Sequence, residues 1–323
     1  MPAGSSSRNR SLSLSAEDRR RLAPELERAR ALGASGSCIA LPEAAGEVIL
    51  GDALDALPRI RPASIDLLVA DPPYNMDKDF GEARGARMSD EGYEEYTRAW
   101  VEAALPLLKP EASVYVCCDW RCSSAVQRVL SRTLIVRNRI TWEREKGRAS
   151  SRNWKSAHED IWFATASDRY RFDAKSVRLR RQVRAPYRDV GGAPKGWDDG
   201  PDGPFRDTAA SNLWTDLTVP FWSMSENTNH PTQKPEKLLA KLILASSRPG
   251  DLVLDPFLGS GTSAVVAKKL GRRYLAIEID AEHCLAALRR LELATAGARI
   301  QGYEDGVFWE RNSSPRRACR PGD

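Results

Sequence analysis

The sequence predicts an α/β protein with a mostly parallel sheet and helices on both of its faces. Three observations predict it. Apolar runs of strand length alternate with segments of helical periodicity, the pattern of successive βαβ units. Two of these runs stop abruptly in loops, at Asp71-Pro72-Pro73-Tyr74 and at Pro256-Phe257-Leu258-Gly259-Ser260-Gly261-Thr262. Open parallel sheets bind ligands at the carboxyl ends of their strands, and both loops fall at such ends.

The elements follow in order. Ser15-Ala16-Glu17-Asp18 reads as a helix N-cap with acids in the first turn, opening a short basic helix to about residue 32. The polar stretch before it, Met1 to Ser15, reads as disordered. Val48 to Leu50 is a strand ending in Gly51-Asp52, with a helix through Leu57. Ile65 to Ala70 is a buried strand, and proline cannot continue a central strand, so the chain turns at Asp71. Tyr93, Tyr96, Trp100, Ala104 and Leu108 recur at helical spacing. Strands follow at Ser113–Cys118, Val136–Trp142 and Asp160–Ala164. From 168 to 229 glycine, proline, aspartate and arginine dominate and periodicity is weak, as expected of a loop-rich insert without a core of its own. Regular structure resumes with a helix at Glu236–Ser246, a strand at Asp251–Asp255, a helix at Thr262–Leu270, a strand at Tyr274–Glu278 and a helix from 281 to about 295. The division is therefore an N-terminal extension (1–46), a first half of the main domain (47–167), the insert (168–229), a second half (230–297) and a tail (298–323) read as mobile.

Bulk properties narrow the class. The chain has 323 residues, 29% of them charged, and a net charge of +5. It has no apolar run of membrane-spanning length and no signal-type N-terminus. Cys38, Cys117, Cys118, Cys122, Cys284 and Cys319 show no CxxC spacing, and read as reduced thiols of a cytoplasmic protein. His158, His230 and His283 are scattered, so no metal site is expected. Between Asp168 and Val190 basic residues outnumber acidic ones, with Tyr170, Phe172 and Tyr187 among them. Such a run is a solvated face or a phosphate-tracking surface.

The glycine turn points to a nucleoside-like cofactor. Gly259 and Gly261 let the backbone turn tightly and pass close to a ligand. The helix that follows offers unsatisfied N–H groups to an anion. Glu278, at the end of the next strand, is placed to accept from two ribose hydroxyls. Gly259-Ser260-Gly261-Thr262-Ser263-Ala264 also fits the dinucleotide fingerprint G-x-G-x-x-A, so a nicotinamide or flavin enzyme stays open on this motif.

The Asp71 corner presents acceptors only. Its prolines have no N–H, leaving carbonyls and a carboxylate. Such a cluster suits a substrate amino group: Asp71 and the Pro72 carbonyl each take one N–H, and Tyr74 stacks on an aromatic base. An exocyclic amine is a weak nucleophile because its lone pair delocalises into the ring. Two fixed acceptors hold the nitrogen partly pyramidal and aim the lone pair, by positioning and preorganised electrostatics.

Together Asp71-Pro72-Pro73-Tyr74 and Phe257-Leu258-Gly259-Ser260-Gly261 resemble the catalytic and cofactor motifs of the DNA amino-methyltransferases. The order, with a variable insert between them, is similar to the β class of that family, which includes many restriction–modification enzymes. The resemblance spans residues 47–295. It implies a Rossmann-like S-adenosylmethionine-dependent methyltransferase fold, with a seven-stranded mostly parallel sheet, one antiparallel strand and a target-recognition insert. It further implies that Thr232 and Lys234, in His230-Pro231-Thr232-Gln233-Lys234-Pro235, lie near the methionine carboxylate of the cofactor, and that Asp52 lies near its adenine. Asp255, Phe257, Ser260 and Thr262 complete that site, with Asp71 beside it. By the same resemblance Trp154 packs against an extruded base.

A base within a duplex hides its amino group, so the nucleotide must be flipped out. Arg178, Arg180, Arg181 and Arg184 of the insert suit guanine edges and phosphates. Double-stranded DNA is the expected partner, with a homodimer and a separately acting restriction endonuclease as further partners that the resemblance allows. The residues leave rivals. An N4-cytosine enzyme shares the fold, though its catalytic motif more often begins with serine, and Asp71 favours adenine N6. RNA or protein amino groups, a nucleotide-dependent oxidoreductase and a non-catalytic DNA-binding module are the others. No Pro-Cys dipeptide occurs, so Cys117, Cys118 and Cys122 are not read as a cytosine-C5 nucleophile. Trp197, Trp214 and Trp222 either anchor insert loops or touch DNA.

Overall fold

The computed structural model describes residues 9–43, 45–75, 88–144, 151–184, 187–200, 203–228, 230–311 and 313. Residues 1–8 and 314–323, which hold part of the predicted N-terminal disorder and tail mobility, lie outside them. In chain order the elements are α1 (Ala16–Ala34), β1 (Gly46–Leu50), α2 (Ala53–Ala56), β2 (Ile65–Ala70), α3 (Asp90–Ala104), β3 (Leu108–Cys118), α4 (Ser123–Thr133), β4 (Ile135–Glu143), β5 (His158–Thr165), β6 (Leu179–Gln182), β7 (Asp198–Gly200), β8 (Gly203–Thr208), β9 (Leu213–Trp214), α5 (Glu236–Ser246), β10 (Leu252–Asp255), α6 (Thr262–Lys269), β11 (Arg273–Glu278), α7 (Ala281–Ala296), β12 (Tyr303–Glu304) and β13 (Val307–Trp309).

The main sheet has the order β1-β11-β10-β2-β3-β5-β4-β9. Every neighbouring pair is parallel except those of β5, which runs antiparallel to both β3 and β4. The expected single antiparallel strand is therefore β5. The sheet has eight strands rather than seven, because the two-residue β9 of the insert adds to the edge of β4. Helices cover both faces. In β2, Leu67 and Val69 pack toward α5, α6 and α7, while Ile65, Leu68 and Ala70 pack toward α3 and α4. Burial on both faces explains why β2 is apolar from Leu67 to Ala70 rather than alternating; Asp66, near its start, pairs with Lys109 at 2.7 Å. Strands β10 and β11 of the second half lie between β1 and β2 of the first, so the two halves form one sheet.

The capping box at Ser15 is present: its hydroxyl accepts from Asp18 N at 3.0 Å and Asp18 returns a bond to Ser15 N. The segment before it is held in place over its described part. Arg10 N donates to the Trp222 carbonyl at 2.6 Å and Leu12 N to that of Asn227 at 2.8 Å. Those bonds answer polar groups that local sequence leaves without partners.

The insert and tail depart most from expectation. β6, β7 and β8 form a second sheet with β12 and β13, in the order β12-β13-β6-β8-β7. The tail, read as mobile, is ordered through Arg311 because Phe308 is fully buried in the cluster that contains Leu179 and the α5 side chains. Beneath this sheet Asp216 receives the ammonium groups of Lys241 at 2.6 Å and Lys237 at 2.8 Å, all three buried. Lys237 also donates to the carbonyls of Asp216 and Trp309. Replacing Phe308 with alanine is expected to cost roughly 3–5 kcal/mol, as for other buried aromatics. Urea unfolding measures it, and an unchanged midpoint would mean that the tail is not part of the core.

Candidate active site

Parallel strands deliver their carboxyl ends to one edge, and there a cavity of about 390 Å³ opens. Its wall takes Gly51 and Asp52 after β1, Asp71 to Asn75 after β2, Asp255 at the end of β10 with Pro256 to Ser260 after it, and Glu278 at the end of β11. Thr232, Gln233 and Lys234 close another side, and Tyr93 and Tyr96 of α3 add an aromatic one. The volume lies within the usual range for small-molecule sites, about 300–1,000 Å³. The catalytic and cofactor candidates thus share one cavity at the strand ends.

Asp71 has both oxygens engaged. Oδ1 accepts from the Tyr74 hydroxyl at 3.0 Å and Oδ2 from Lys234 Nζ at 2.6 Å. A carboxylate has about four acceptor positions, so capacity remains on each oxygen. Its side chain is 24% exposed and that of Lys234 is 7% exposed. Behind them lies Glu159, whose Oε2 is 3.2 Å from the Tyr74 hydroxyl and 3.3 Å from Lys234 Nζ. Arg144 pairs with the other oxygen of Glu159. Burial raises the Asp71 carboxyl above the usual range; Lys234 opposes that and Glu159 adds to it. For Glu159 burial acts upward, but Lys234 and Arg144 overcome it and hold the carboxyl low. Burial would lower the Lys234 ammonium, yet Asp71 and Glu159 hold it above its ordinary value.

The cofactor side is equally fixed. Glu278 accepts from Gly259 N at 2.6 Å and Asp280 N at 2.9 Å, with burial raising its carboxyl. Asp255 accepts from Phe257 N at 2.9 Å and from the Ser263 hydroxyl; burial pushes it up to about 7. Phe257 meets Trp100 edge-on, with ring centroids 5.4 Å apart. Arg290, buried on α7, donates to the Ser260 carbonyl at 3.0 Å, to the Thr262 hydroxyl at 2.9 Å and to Glu236 at 3.1 Å. It clamps the glycine turn to the start of α5. Asp52 caps α2 through Leu54 N at 2.8 Å, and Thr232 N donates to His230 Nδ1 at 3.3 Å.

Comparison with known proteins decides the family. A profile of the DNA methylases that act on adenine N6 or cytosine N4 matches residues 65–289. The chain belongs to the DNA methylase family. It is 32% identical over 248 residues to the type II methyltransferase M.HpaI of Haemophilus parainfluenzae, covering 76% of this chain and 74% of that one. It is also 32% identical over 251 residues to the DNA adenine methyltransferase YhdJ of Escherichia coli K12, covering 77% and 83%. In fold it is similar to PvuII DNA methyltransferase, described as cytosine-N4-specific, with a TM-score of 0.57, 20% identity and 81% and 94% of the two chains covered. TTHA0409 of Thermus thermophilus, a structure with S-adenosylmethionine bound, gives a TM-score of 0.54 at 19% identity over 83% and 99%.

Within this DNA methylase the remaining predicted residues divide between the cavity and the surrounding packing. Lys234 engages the Asp71 carboxylate itself. Gly261 has φ 90° and does not line the cavity; a Cβ there would lie 2.7 Å from that of Ala287 on α7. Its role is close packing of α7 against the turn, whereas a Cβ on Gly259 would approach His230 Nε2 at 3.1 Å. Trp154 is 94% exposed and stands outside the cavity wall. Arg180 pairs with Asp207 through two bonds, at 2.8 and 2.7 Å, and lies 4.0 Å over the Phe205 ring. It is thereby committed to the insert's own sheet. Arg178, Arg181 and Arg184 are exposed, Arg181 lying 3.8 Å from Glu310. Trp197 and Trp214 are buried anchors whose indoles donate to the Tyr187 and Ser211 carbonyls, while Trp222 is exposed.

Glu159, Arg144 and Arg290 were not singled out from the sequence. Glu159 had one signal: it follows closely on Trp154, which the family resemblance places against the base.

Two predictions follow from this geometry. Gly261→Ala is expected to lower stability, by about 1–2 kcal/mol for the left-handed backbone and about 1–3 kcal/mol for overpacking. Chemical unfolding measures it, and full stability in Gly261→Ala contradicts the assignment. His230 is pulled down to about 3 by burial, with His283, Lys234 and Arg290 adding to the effect. The native state then binds fewer protons than the unfolded chain between pH 6.5 and 3. Its contribution to stability is lost as pH falls through that window. The stability difference between wild type and His230→Gln should therefore shrink or reverse from pH 7 to pH 4; a pH-independent difference contradicts the assignment.

Proposed function

We propose that the protein transfers a methyl group from S-adenosylmethionine to N6 of a flipped-out adenine at a specific site in duplex DNA, as the methyltransferase of a restriction–modification system. The observation that carries this reading is the shared cavity: the Asp71 carboxylate opens onto the same space as Glu278 and the Gly259 turn. The residues fit the cofactor. Glu278 keeps acceptor positions for ribose hydroxyls beyond its two backbone bonds, Phe257 and the α3 tyrosines offer an apolar wall, and Asp52, Thr232 and Lys234 are polar groups on the same wall. Bound there, S-adenosylmethionine would supply an electrophilic sulfonium methyl.

The chain's own residues do the rest. Asp71 and the Pro72 carbonyl take the two amino hydrogens and aim the nitrogen lone pair. As the nitrogen gains the methyl, Asp71 takes the proton that the amine must lose. Tyr74, with its hydroxyl held by Asp71, offers a ring face to the base. Adenine is favoured by the aspartate that opens the motif and by the likeness to YhdJ, a named adenine methyltransferase. Trp154 and the exposed arginines Arg178, Arg181 and Arg184 are proposed to meet DNA.

Incubation with methyl-tritiated S-adenosylmethionine and plasmid from a methylation-deficient host, followed by digestion to nucleosides, tests the assignment. Label in N6-methyladenine is expected; label in N4-methylcytosine overturns the base and leaves the chemistry. Asp71→Ala should lower kcat by at least about 100-fold, the scale of losing a preorganised electrostatic partner, with cofactor binding largely unchanged. Near-normal turnover in that variant contradicts the role of Asp71.

A further inference from the structure

Glu159 is buried, charged and outside the motifs that define the site, yet its Oε2 lies 3.2 Å from the Tyr74 hydroxyl and 3.3 Å from Lys234 Nζ, the two groups that hold Asp71. It reaches them because β5 is antiparallel. A parallel strand brings its last residues to the cavity edge, and β5 brings its first. Opposite Trp142 and next to Asp160, Glu159 points to the Asp71 side, while Asp160 on the other face takes the Ser123 and Thr141 hydroxyls, each at 2.9 Å.

The groups around it nearly balance in charge. Asp71 at the end of β2 and Glu159 on β5 are two anions; Lys234 before α5 and Arg144 after β4 are two cations. The Tyr74 hydroxyl and the Cys117 thiol of β3 face the same cluster, with Asp255 of β10 beyond Asp71. Tyr74 has one hydroxyl proton and two carboxylates within reach. Lys234 lies between the same two carboxylates.

We propose that Glu159 is a positioning residue for methyl transfer, which shares Lys234 and the Tyr74 hydroxyl with Asp71 and so keeps Asp71 a strong acceptor for the substrate amine. Without the Glu159 charge, Lys234 pairs with Asp71 alone, and repulsion from a second carboxylate disappears. Both changes make Asp71 less basic, hence a poorer acceptor of the amine's proton. The inference rests on the role proposed for Asp71 and holds for either target base.

Glu159→Gln keeps the shape and removes the charge. With S-adenosylmethionine and the plasmid substrate, kcat should fall by about 10- to 100-fold, the scale of a misplaced catalytic group, while KM for the cofactor stays close to that of wild type. The acid limb of the kcat profile should move to lower pH, and Glu159→Asp should recover part of the rate. Should Glu159→Gln fold poorly because Arg144 is left unpaired, Arg144→Met in the same chain removes that charge, and the pair is assayed in its place. An unchanged kcat and acid limb, or a rise in KM alone, overturns the inference. Asp71→Asn in parallel separates the two readings. Full turnover there overturns the role of Asp71 and the inference with it; a dead Asp71→Asn beside an unaltered Glu159→Gln overturns the inference alone.

Discussion

A buried ammonium between two carboxylates is the constraint on which the site depends. Lys234 is enclosed by protein, and a buried charge costs several kcal/mol unless it is paired and hydrogen-bonded. Its partner Asp71 lies 163 residues earlier in the chain. Satisfying Lys234 therefore requires the 230–235 segment to close over the end of β2, which builds one wall of the cavity. The same closure carries Gln233, which donates to the Glu226 carbonyl at 2.6 Å, and leads into α5, whose first residue Glu236 is held by Arg290 and Lys269.

Sheet topology makes that closure productive. β10 and β11 sit between β1 and β2, so the glycine turn and Glu278 end at the same edge as Asp71. Chain direction reverses its progress across the sheet between β10 and β2, and ligands of open α/β sheets bind at such a switch point. The parallel strands supply the cofactor side and the corner; the single antiparallel strand supplies Glu159. The insert is fastened separately, by Asp216 with its two lysines and by Phe308, so its exposed arginines stand on a sheet fixed to α5.

The legible parts of the sequence were those set by local pattern. β2 and α5 were bounded correctly because an apolar run ends at proline and a helical stripe begins after one. The Asp71 corner and the Gly259 turn were legible because each needs unusual residues in a fixed order. The helix α4 was missed although Ala125, Val126, Val129 and Leu130 recur at helical spacing. What could not be read depends on distant partners. Arg180 reads as a free cation until Asp207 is brought opposite it on β8. β12 and β13 are too short to be recognised without β6 beside them. Gly261 carries the pattern of a ligand-facing glycine, but the atom that excludes its Cβ belongs to Ala287. Glu159 could be assigned only once β5 was known to run against its neighbours.

The buried bridge is tested most directly by a double-mutant cycle on stability, with urea unfolding of Asp71→Asn, Lys234→Met and the double variant. Lys234→Met leaves Asp71 and Glu159 facing each other without the shared cation, and should be strongly destabilised, by about 3–5 kcal/mol. The double variant leaves Glu159 with Arg144 and should be more stable than Lys234→Met alone, so the two changes should be far from additive. Additive losses would mean that Lys234 and Asp71 do not share a buried charge interaction, and the account of the site would fail at its centre.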